Sequence, residues 1–337
     1  MALNDVTPEA RAVPEAPRAA SPDPTVGVVV CTYTAERLPQ LRAAVASVRA
    51  QEHHVDQLVV VVDGDEELGA VVRGALPGEQ VVVLGRNRGV SVARNTGAAQ
   101  LETDLVFFLD DDATAHPRWV AELAPYLTRP DVLGASARSV GDFVGRAPAW
   151  LPDEYLWTVG VAYRGLPDEA APVRNFYGGC AGMRRDTFLD VGGFADGIGH
   201  GDGRVGGGEE AEFCLRVRAA RPGGEFWFVP EARIDHRVPA PRATWSYLVR
   251  RSYDEGVMKG DIARALGEGP AGGAALGPER DFARRLPRAA LDYLRTPGRR
   301  SAALGTVVAS LAVVAGLVRS RLSRRPVVVV RAGEARA

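Results

Sequence analysis

The chain has 337 residues, with 41 Lys+Arg against 42 Asp+Glu and a formal net charge of −1. A content of 46% hydrophobic and 25% charged residues is that of a globular protein, which excludes a wholly disordered, collagen-like or polytopic membrane chain. Balanced charge also excludes a dedicated nucleic-acid binder, although the balance is uneven: residues 261–337 carry 14 Arg against 6 acids, leaving that stretch at +8 and residues 1–260 at −9.

Residues 1–24 hold five prolines and no apolar h-region, so they read as a disordered arm and not as a secretory signal. From Val26 the pattern changes. VGVVVCTY (26–33) is a buried strand, ERLPQLRAAVASVRAQ (36–51) a helix, and QLVVVVDGD (57–65) a second buried strand ending on an acid. A short amphipathic stretch leads to strand QVVVLG (80–85), then helix SVARNTGAAQL (91–101) and strand DLVFFLDDD (104–112). Near-continuous apolar strands alternating with helices predict an α/β domain with a mostly parallel, Rossmann-like central sheet and helices on both faces. Ligands of such sheets sit at the carboxyl ends of the strands, which here carry Thr32 and Tyr33, Asp63, Arg86 and Asn87, and Asp110 to Asp112. After Arg138 the alternation stops. Residues 141–176 are rich in Pro and aromatics, Gly192–Gly208 has nine glycines in 17 positions and reads as a flexible loop, and EEAEFCLRVRAA (209–220) resumes helical spacing before strand EFWFVP (225–230). Residues 256–337 form an Arg-rich helical tail with an uncharged run at 301–318.

Several residues have the chemistry of a site. Along an extended strand end, Asp110 and Asp112 share a face while Asp111 points away, and a hard divalent cation relieves their repulsion; a solvated acidic turn is the plainer alternative. Asp63 is either a helix N-cap or a ligand contact. Gly89 opens a helix whose N-terminus suits an anion, and Arg94, one turn in, reaches the same anion or is an exposed helix charge. Glu209, Glu210 and Glu212 either match a helix dipole or present a general base beside a glycine-rich lid. His236 follows a strand and is either structural or a ligand, whereas His53, His54, His116 and His200 fall in loops and receive no role. Gly201 to Gly206 spells G-x-G-x-x-G without a preceding strand, so it is not a dinucleotide site. Cys31, Cys180 and Cys214 are too few and scattered for a disulfide framework or zinc site, which makes a reduced, cytoplasmic compartment the expectation.

Taken together, VVVCTYTAERL (28–38), VVVVDGD (59–65), NRGVSVARNTG (87–97), LVFFLDDDA (105–113), GCAGMRRDTFLDVGGF (179–194) and GEEAEFCLR (208–216) resemble the family 2 glycosyltransferases of GT-A fold, over residues 25–255. The stretch from WLPDEYLWTVGVAYRGLP to GEEAEF is similar to a subgroup of glucosyl-dolichyl-phosphate glucuronosyltransferase-like proteins. The resemblance implies an inverting transfer from a nucleotide-diphospho-sugar to an acceptor hydroxyl on a sugar, a lipid-linked species or a small molecule. It implies that Thr32, Tyr33, Asp63, Asn87 and Arg94 hold the donor. Asp110, Asp111 and Asp112 would engage its ribose and a Mg²⁺ or Mn²⁺, with His236 completing the metal shell. Glu210, or its neighbour Glu209, would be the base. Two departures stand out: Cys31 replaces the usual Pro at the first strand end, and a Glu-Glu pair replaces the usual Glu-Asp. The alternative is a catalytically silent nucleotide-sugar-binding protein of the same fold. A sugar-nucleotidyltransferase is excluded by the missing glycine-rich loop after the first strand. The 301–318 run, with arginines at both ends, has three readings: a span, an interfacial helix over 299–325 at the inner face of the cell membrane, or a helix packed on the domain.

Overall fold

The computed structural model describes residues 24–196, 208–265 and 277–323. The N-terminal arm, most of the Gly192–Gly208 loop with His200 and the G-x-G-x-x-G run, and Arg324 and Arg325 lie outside the described residues. Chain order begins β1 (Val26–Thr32), α1 (Leu38–Arg49), β2 (Gln57–Val62), α2 (Glu66–Ala75), β3 (Gln80–Val83), α3 (Val90–Gln100) and β4 (Leu105–Asp110). There follow β5 (Ala113–Ala115), α4 (Trp119–Leu127), β6 (Val132–Phe143), a 3₁₀ segment (Asp153–Val159), β7 (Ala171–Val173), β8 (Cys180–Arg184), α5 (Arg185–Asp190) and α6 (Glu209–Ala220). The chain closes with β9 (Glu225–Val238), α7 (Trp245–Ala265), α8 (Gly277–Arg295) and α9 (Arg300–Leu322).

All nine strands join one sheet in the order β3-β2-β1-β4-β8-β6-β9-β5, with β7 also paired to β9. β1, β2, β3 and β4 pair in parallel, as the alternation predicts. The expectation of a mostly parallel Rossmann-like sheet fails beyond β4. β8 inserts antiparallel between β4 and β6, and β5 and β7 both pair antiparallel to β9, so the sheet is mixed. The GT-A-like arrangement of a central sheet with flanking helices remains. Parallel pairing needs a long crossover between neighbours, and past β4 the helices no longer alternate one-for-one with strands.

Alternate side chains of each parallel strand enter opposite layers. Val28, Val30, Val60, Val62, Phe107 and Leu109 pack with α1, α2 and α4. Val29, Val59, Val61, Val106 and Phe108 pack with α3, α5 and α6. Burial on both faces explains why these strands read as continuous apolar runs. Residue 256, where the composition turns Arg-rich, lies inside α7. α9 crosses α7 at backbone distance: a Cβ added at Gly256 would strike the Val313 carbonyl, and one at Gly316 would strike the Tyr253 carbonyl. Ala302, Ala309, Ala312 and Ser320 continue that small, buried face. The opposite face of α9 exposes Leu304, Val307, Leu311, Val314, Val318 and Leu322, a stripe at helical spacing. Helix α9 is long and apolar enough to cross a membrane, yet a third of its apolar window is buried against the domain.

Candidate active site

The parallel strands deliver their carboxyl ends to one side of the sheet, and β9 returns there antiparallel to β5. That ladder pairs Ala113 with His236, so the imidazole arrives beside the residue following Asp112. One ligand atom from each of Asp110, Asp112 and His236 lies within 4.8 Å of the others. His236 Nε2 is 3.4 Å from Asp112 Oδ1, while its buried Nδ1 has no hydrogen-bond partner. Gly160 fits against the imidazole, since a Cβ there would lie 2.7 Å from Cε1. Two carboxylates and one imidazole, with a ring nitrogen unsatisfied in a buried position, are a donor set that fits Mn²⁺ or Mg²⁺. Asp111 does not point away from Asp112 as the strand alternation predicts; it meets Arg37 Nη1 at 2.7 Å. The same guanidinium stands 3.2 Å from Asp112 Oδ2 and stacks over Tyr33. Burial pushes the Asp111 carboxyl up to about 6 against the pull of Arg37. Burial also works to raise Asp112, but the His236 hydrogen bond and the charges of His236, Arg37 and Arg242 outweigh it and bring Asp112 down to about 2.

A second knot of charge centres on Arg94. The Asp63 carboxylate accepts the backbone N–H groups of Arg88 (2.6 Å) and Gly89 (2.9 Å), which ties the loop after β3 to the end of β2. The helix cap beside it is Asp65, which accepts from Leu68 N. Gly89 takes φ +92°, a conformation open to glycine, and starts α3. One turn in, Arg94 is buried and donates to Asp110 Oδ1 at 2.8 Å. Its Nη1 has no hydrogen bond and lies 3.7 Å from Glu209 and 3.6 Å from Glu210. Burial alone would lower this guanidinium's pKa; the charges of Asp110, Glu210 and Glu209 overcome it and raise it. The loop before β8 closes tightly on the knot. A Cβ at Gly178 would lie 2.7 Å from Glu210 Oε1 and 2.8 Å from Arg94 Nη1, and one at Gly179 would collide with the Asp110 carboxylate.

α6 follows its N-cap Gly208 and places both glutamates at its N-terminus. Glu209 is buried, and burial together with Glu210 pushes its carboxyl up to about 8 despite Arg94. Its Oε2 has no hydrogen-bond partner. The Glu210 side chain is 24% exposed, so it is the one open to a bound molecule. Glu212 instead forms a buried pair with Arg216.

Thr32, Tyr33, Asp63, Asn87, Arg94, Asp110, Asp111, Asp112, Glu209, Glu210 and His236 all line a single cavity of about 1190 Å³. Among the described residues the sequence reading missed Arg37, the Gly178–Gly179 pair and an entire wall. That wall comes from α7, α8 and α9. Arg37 carried the signal of an ordinary charge at the start of an amphipathic helix; only its distance to Asp111 distinguishes it. The Gly-Gly pair immediately before a buried strand was the readable sign of a close approach.

The model of the family described as glycosyl transferase family 2 matches residues 27–192. Over 238 residues the chain is 37% identical to the glucosyl-dolichyl phosphate glucuronosyltransferase of Haloferax volcanii, covering 69% of this chain and 76% of that protein. It is 26% identical to the succinoglycan biosynthesis protein ExoM of Rhizobium meliloti over 70% of this chain and 74% of the relative. In fold it is similar to the mannosyltransferase PcManGT from Pyrobaculum calidifontis, solved with GDP-Man and Mn²⁺ (TM-score 0.54, 19% identity, 92% of this chain and 91% of that one). Identity of 37% over more than two thirds of a relative, with the family model matching residues 27–192 and the Asp110–Asp112–His236 donor set, means that the chain belongs to glycosyltransferase family 2 and is a metal-dependent glycosyltransferase.

Proposed function

We propose that the protein catalyses an inverting transfer of a sugar from a nucleotide-diphospho-sugar to an acceptor hydroxyl, with Glu210 as the base. The observation that carries this reading is the convergence of Asp110, Asp112 and His236 with Glu210 on one cavity, linked through Arg94. Thr32, Tyr33, Asp63 and Asn87, at the ends of β1 and β2 and after β3, hold the nucleoside. Asp110, Asp112 and His236 hold the divalent cation, which when bound offsets the charge of the departing diphosphate. Arg94 fixes the Asp110 carboxylate and keeps Glu210 within reach of the reacting end. The acceptor oxygen forms a bond to the anomeric carbon as the bond from that carbon to the diphosphate oxygen breaks. The acceptor proton passes to Glu210, and the bonding electrons leave with the nucleoside diphosphate. Burial together with Glu210 favours the protonated form of Glu209, whereas the more exposed Glu210 is placed to accept a proton. No covalent intermediate on the chain is required.

The exposed stripe of α9, with Arg299 and Arg300 at one end and Arg319 and Arg321 at the other, rests on an anionic membrane surface as an in-plane helix. A span would require α9 to leave the close backbone packing on α7.

A thermal-shift series with UDP-, GDP- and dTDP-sugars, with and without Mn²⁺, tests the donor reading: one donor stabilises the protein, and only with the metal. Equal shifts with and without Mn²⁺, or full transfer rates in Asp112→Ala, would sink it.

A further inference from the structure

His236 reaches the metal site without a hydrogen bond to orient its ring from behind. A metal-bound imidazole is ordinarily held by the hydrogen bond that its second nitrogen makes. Here Nε2 faces Asp112, itself one of the donor set, and the buried Nδ1 has no hydrogen-bond partner among the described residues. The ring is therefore oriented by packing, and it packs on Gly160. The three atoms nearest a Cβ added there all belong to the imidazole, Cε1 at 2.7 Å and Nδ1 and Nε2 at 3.2 Å. Gly160 takes φ +78° and caps the 3₁₀ segment Asp153–Val159.

The other end of that segment is fastened to the C-terminal helices. The Tyr293 hydroxyl of α8 accepts the backbone N–H of Asp153 at 2.8 Å and donates to Glu154 Oε2 at 2.8 Å. Tyr293 and Glu154 are both buried, so one hydroxyl satisfies two groups that water does not reach. Arg299 adds hydrogen bonds to Asp153 Oδ1 at 2.7 Å and to the Leu151 carbonyl at 3.2 Å. One residue further on, the Tyr155 and Ser310 hydroxyls meet at 2.8 Å. Tyr155, Val159 and Val161 share an apolar cluster with Val238 of β9 and Ala309 of α9. The Gly160 carbonyl also accepts from Ser139 Oγ of β6 at 2.7 Å.

We propose that Tyr293 is a positioning residue for the cation: by fixing the start of the 3₁₀ segment it seats Gly160 against the imidazole and keeps His236 in its ligating orientation. The inference rests on the metal site assigned above. Tyr293 itself lines no part of the cavity. Loss of its hydroxyl leaves the Asp153 N–H and the Glu154 carboxylate each short of a buried partner, and a shift of the segment is the way to relieve that.

The test is Mn²⁺ titration of the full chain by electron paramagnetic resonance, with spin-echo modulation at saturation to detect a metal-bound imidazole nitrogen. Tyr293→Phe is expected to weaken Mn²⁺ binding by about tenfold or more, as for an outer partner of a metal ligand, and to diminish the nitrogen modulation. In a His236→Ala background the same substitution should add no further loss, because both changes act through one ligand. Arg264→Ala, which breaks the tie from α7 to the Ser323 carbonyl at the C-terminal end of α9, should lower the melting temperature and leave Mn²⁺ affinity unchanged. If Tyr293→Phe does not fold, Ser310→Ala, which frees the Tyr155 hydroxyl, decides by the same readings. Unchanged Mn²⁺ affinity would overturn the inference and show that Ser139 alone holds Gly160. Equal weakening with and without His236 would overturn it too, as would equal weakening by Arg264→Ala, the mark of a generally loosened tail. Absence of nitrogen modulation in the unaltered protein would count instead against His236 as a ligand, and so against the metal site itself.

Discussion

The strand-end wall and the helical wall of the cavity are built on opposite principles. At the strand ends the arginines are held by carboxylates: Arg37 by Asp111 and Asp112, Arg94 by Asp110 with Glu209 and Glu210 nearby. In the helical wall Phe282, Leu286, Val313 and Leu317 offer apolar contact, and Glu255 pairs with Arg251 and Lys259. Buried charges that neutralise one another fix geometry but leave no slack, because removing one partner strands the other. An apolar wall follows its ligand's shape and loses affinity gradually. Small changes are therefore expected to be severe at the strand ends and mild along the helices, and that contrast can be broken experimentally.

The largest effect is expected for Glu210→Gln, which keeps shape and hydrogen-bonding capacity but cannot take a proton. Transfer should fall by about 10²- to 10⁴-fold with donor affinity retained. Single-turnover rates at saturating donor, alongside donor titration, separate the two quantities. A variant that loses donor binding and rate together would place Glu210 in the donor site instead.

Next is Gly179→Ala. The added methyl meets the Asp110 carboxylate, and the loop before β8 has nowhere to retreat because Gly178 is already against Arg94 and Glu210. The expected cost is about 1–3 kcal/mol of stability, from overpacking, together with weaker Mn²⁺ binding. Urea unfolding and Mn²⁺ titration by electron paramagnetic resonance read both. Unchanged Mn²⁺ affinity would show that Asp110 is not held in its ligating position by this loop.

The contrast between the walls is also a contrast in legibility. Strand ends β1 to β4 were readable because long apolar runs stop at Thr32, Asp63 and Asp110, and α6 was bounded correctly at Glu209–Ala220 by its spacing. β6 was not readable: Gly134, Ser136, Ser139 and Gly141 interrupt its apolar pattern, although Ser136 and Ser139 are buried in the sheet. The five residues of β8 carry no mark of direction, and its antiparallel insertion beside β4 depends on which neighbour a distant segment finds. Arg37 is an ordinary surface charge by sequence, and Glu209 is a candidate base that nothing in the sequence separates from Glu210. Burial gives them their properties, and burial is a product of the whole fold. The part of α9 that lines the cavity is invisible for the same reason, since small and large residues alternate there in a run that is uniformly apolar.

A smaller effect separates the two glutamates through pH. The Glu209 carboxyl is pushed above its ordinary value, to about 8, first by burial and then by Glu210. The native state thus binds this proton more tightly than the unfolded chain. The resulting stabilisation is complete below the ordinary glutamate range, about 4.3, and is lost as pH rises through about 8. Melting temperature should decline from pH 7 to 9 in the unaltered protein and decline less in Glu209→Gln. That variant resembles the protonated acid and should retain most transfer activity at pH 7. A steep loss of activity at pH 7 would move the base from Glu210 to Glu209.

The smallest effect on the enzyme itself is expected on the outer face of α9. Leu311 is 64% exposed and makes no part of the cavity wall, so Leu311→Asp should change stability by no more than about 0.5 kcal/mol and leave transfer in detergent solution intact. Sedimentation with vesicles containing phosphatidylglycerol should nevertheless weaken by about tenfold or more, since a buried leucine is worth about 1.5–3 kcal/mol and an acid at that depth opposes the lipid charge. Salt discriminates further: the arginines at the two ends of the helix contribute a screened attraction, whereas the leucine contribution survives high ionic strength. If Leu311→Asp bound vesicles as well as the unaltered chain, the stripe would not face lipid, and the mouth of the cavity beside Val314 would open to water.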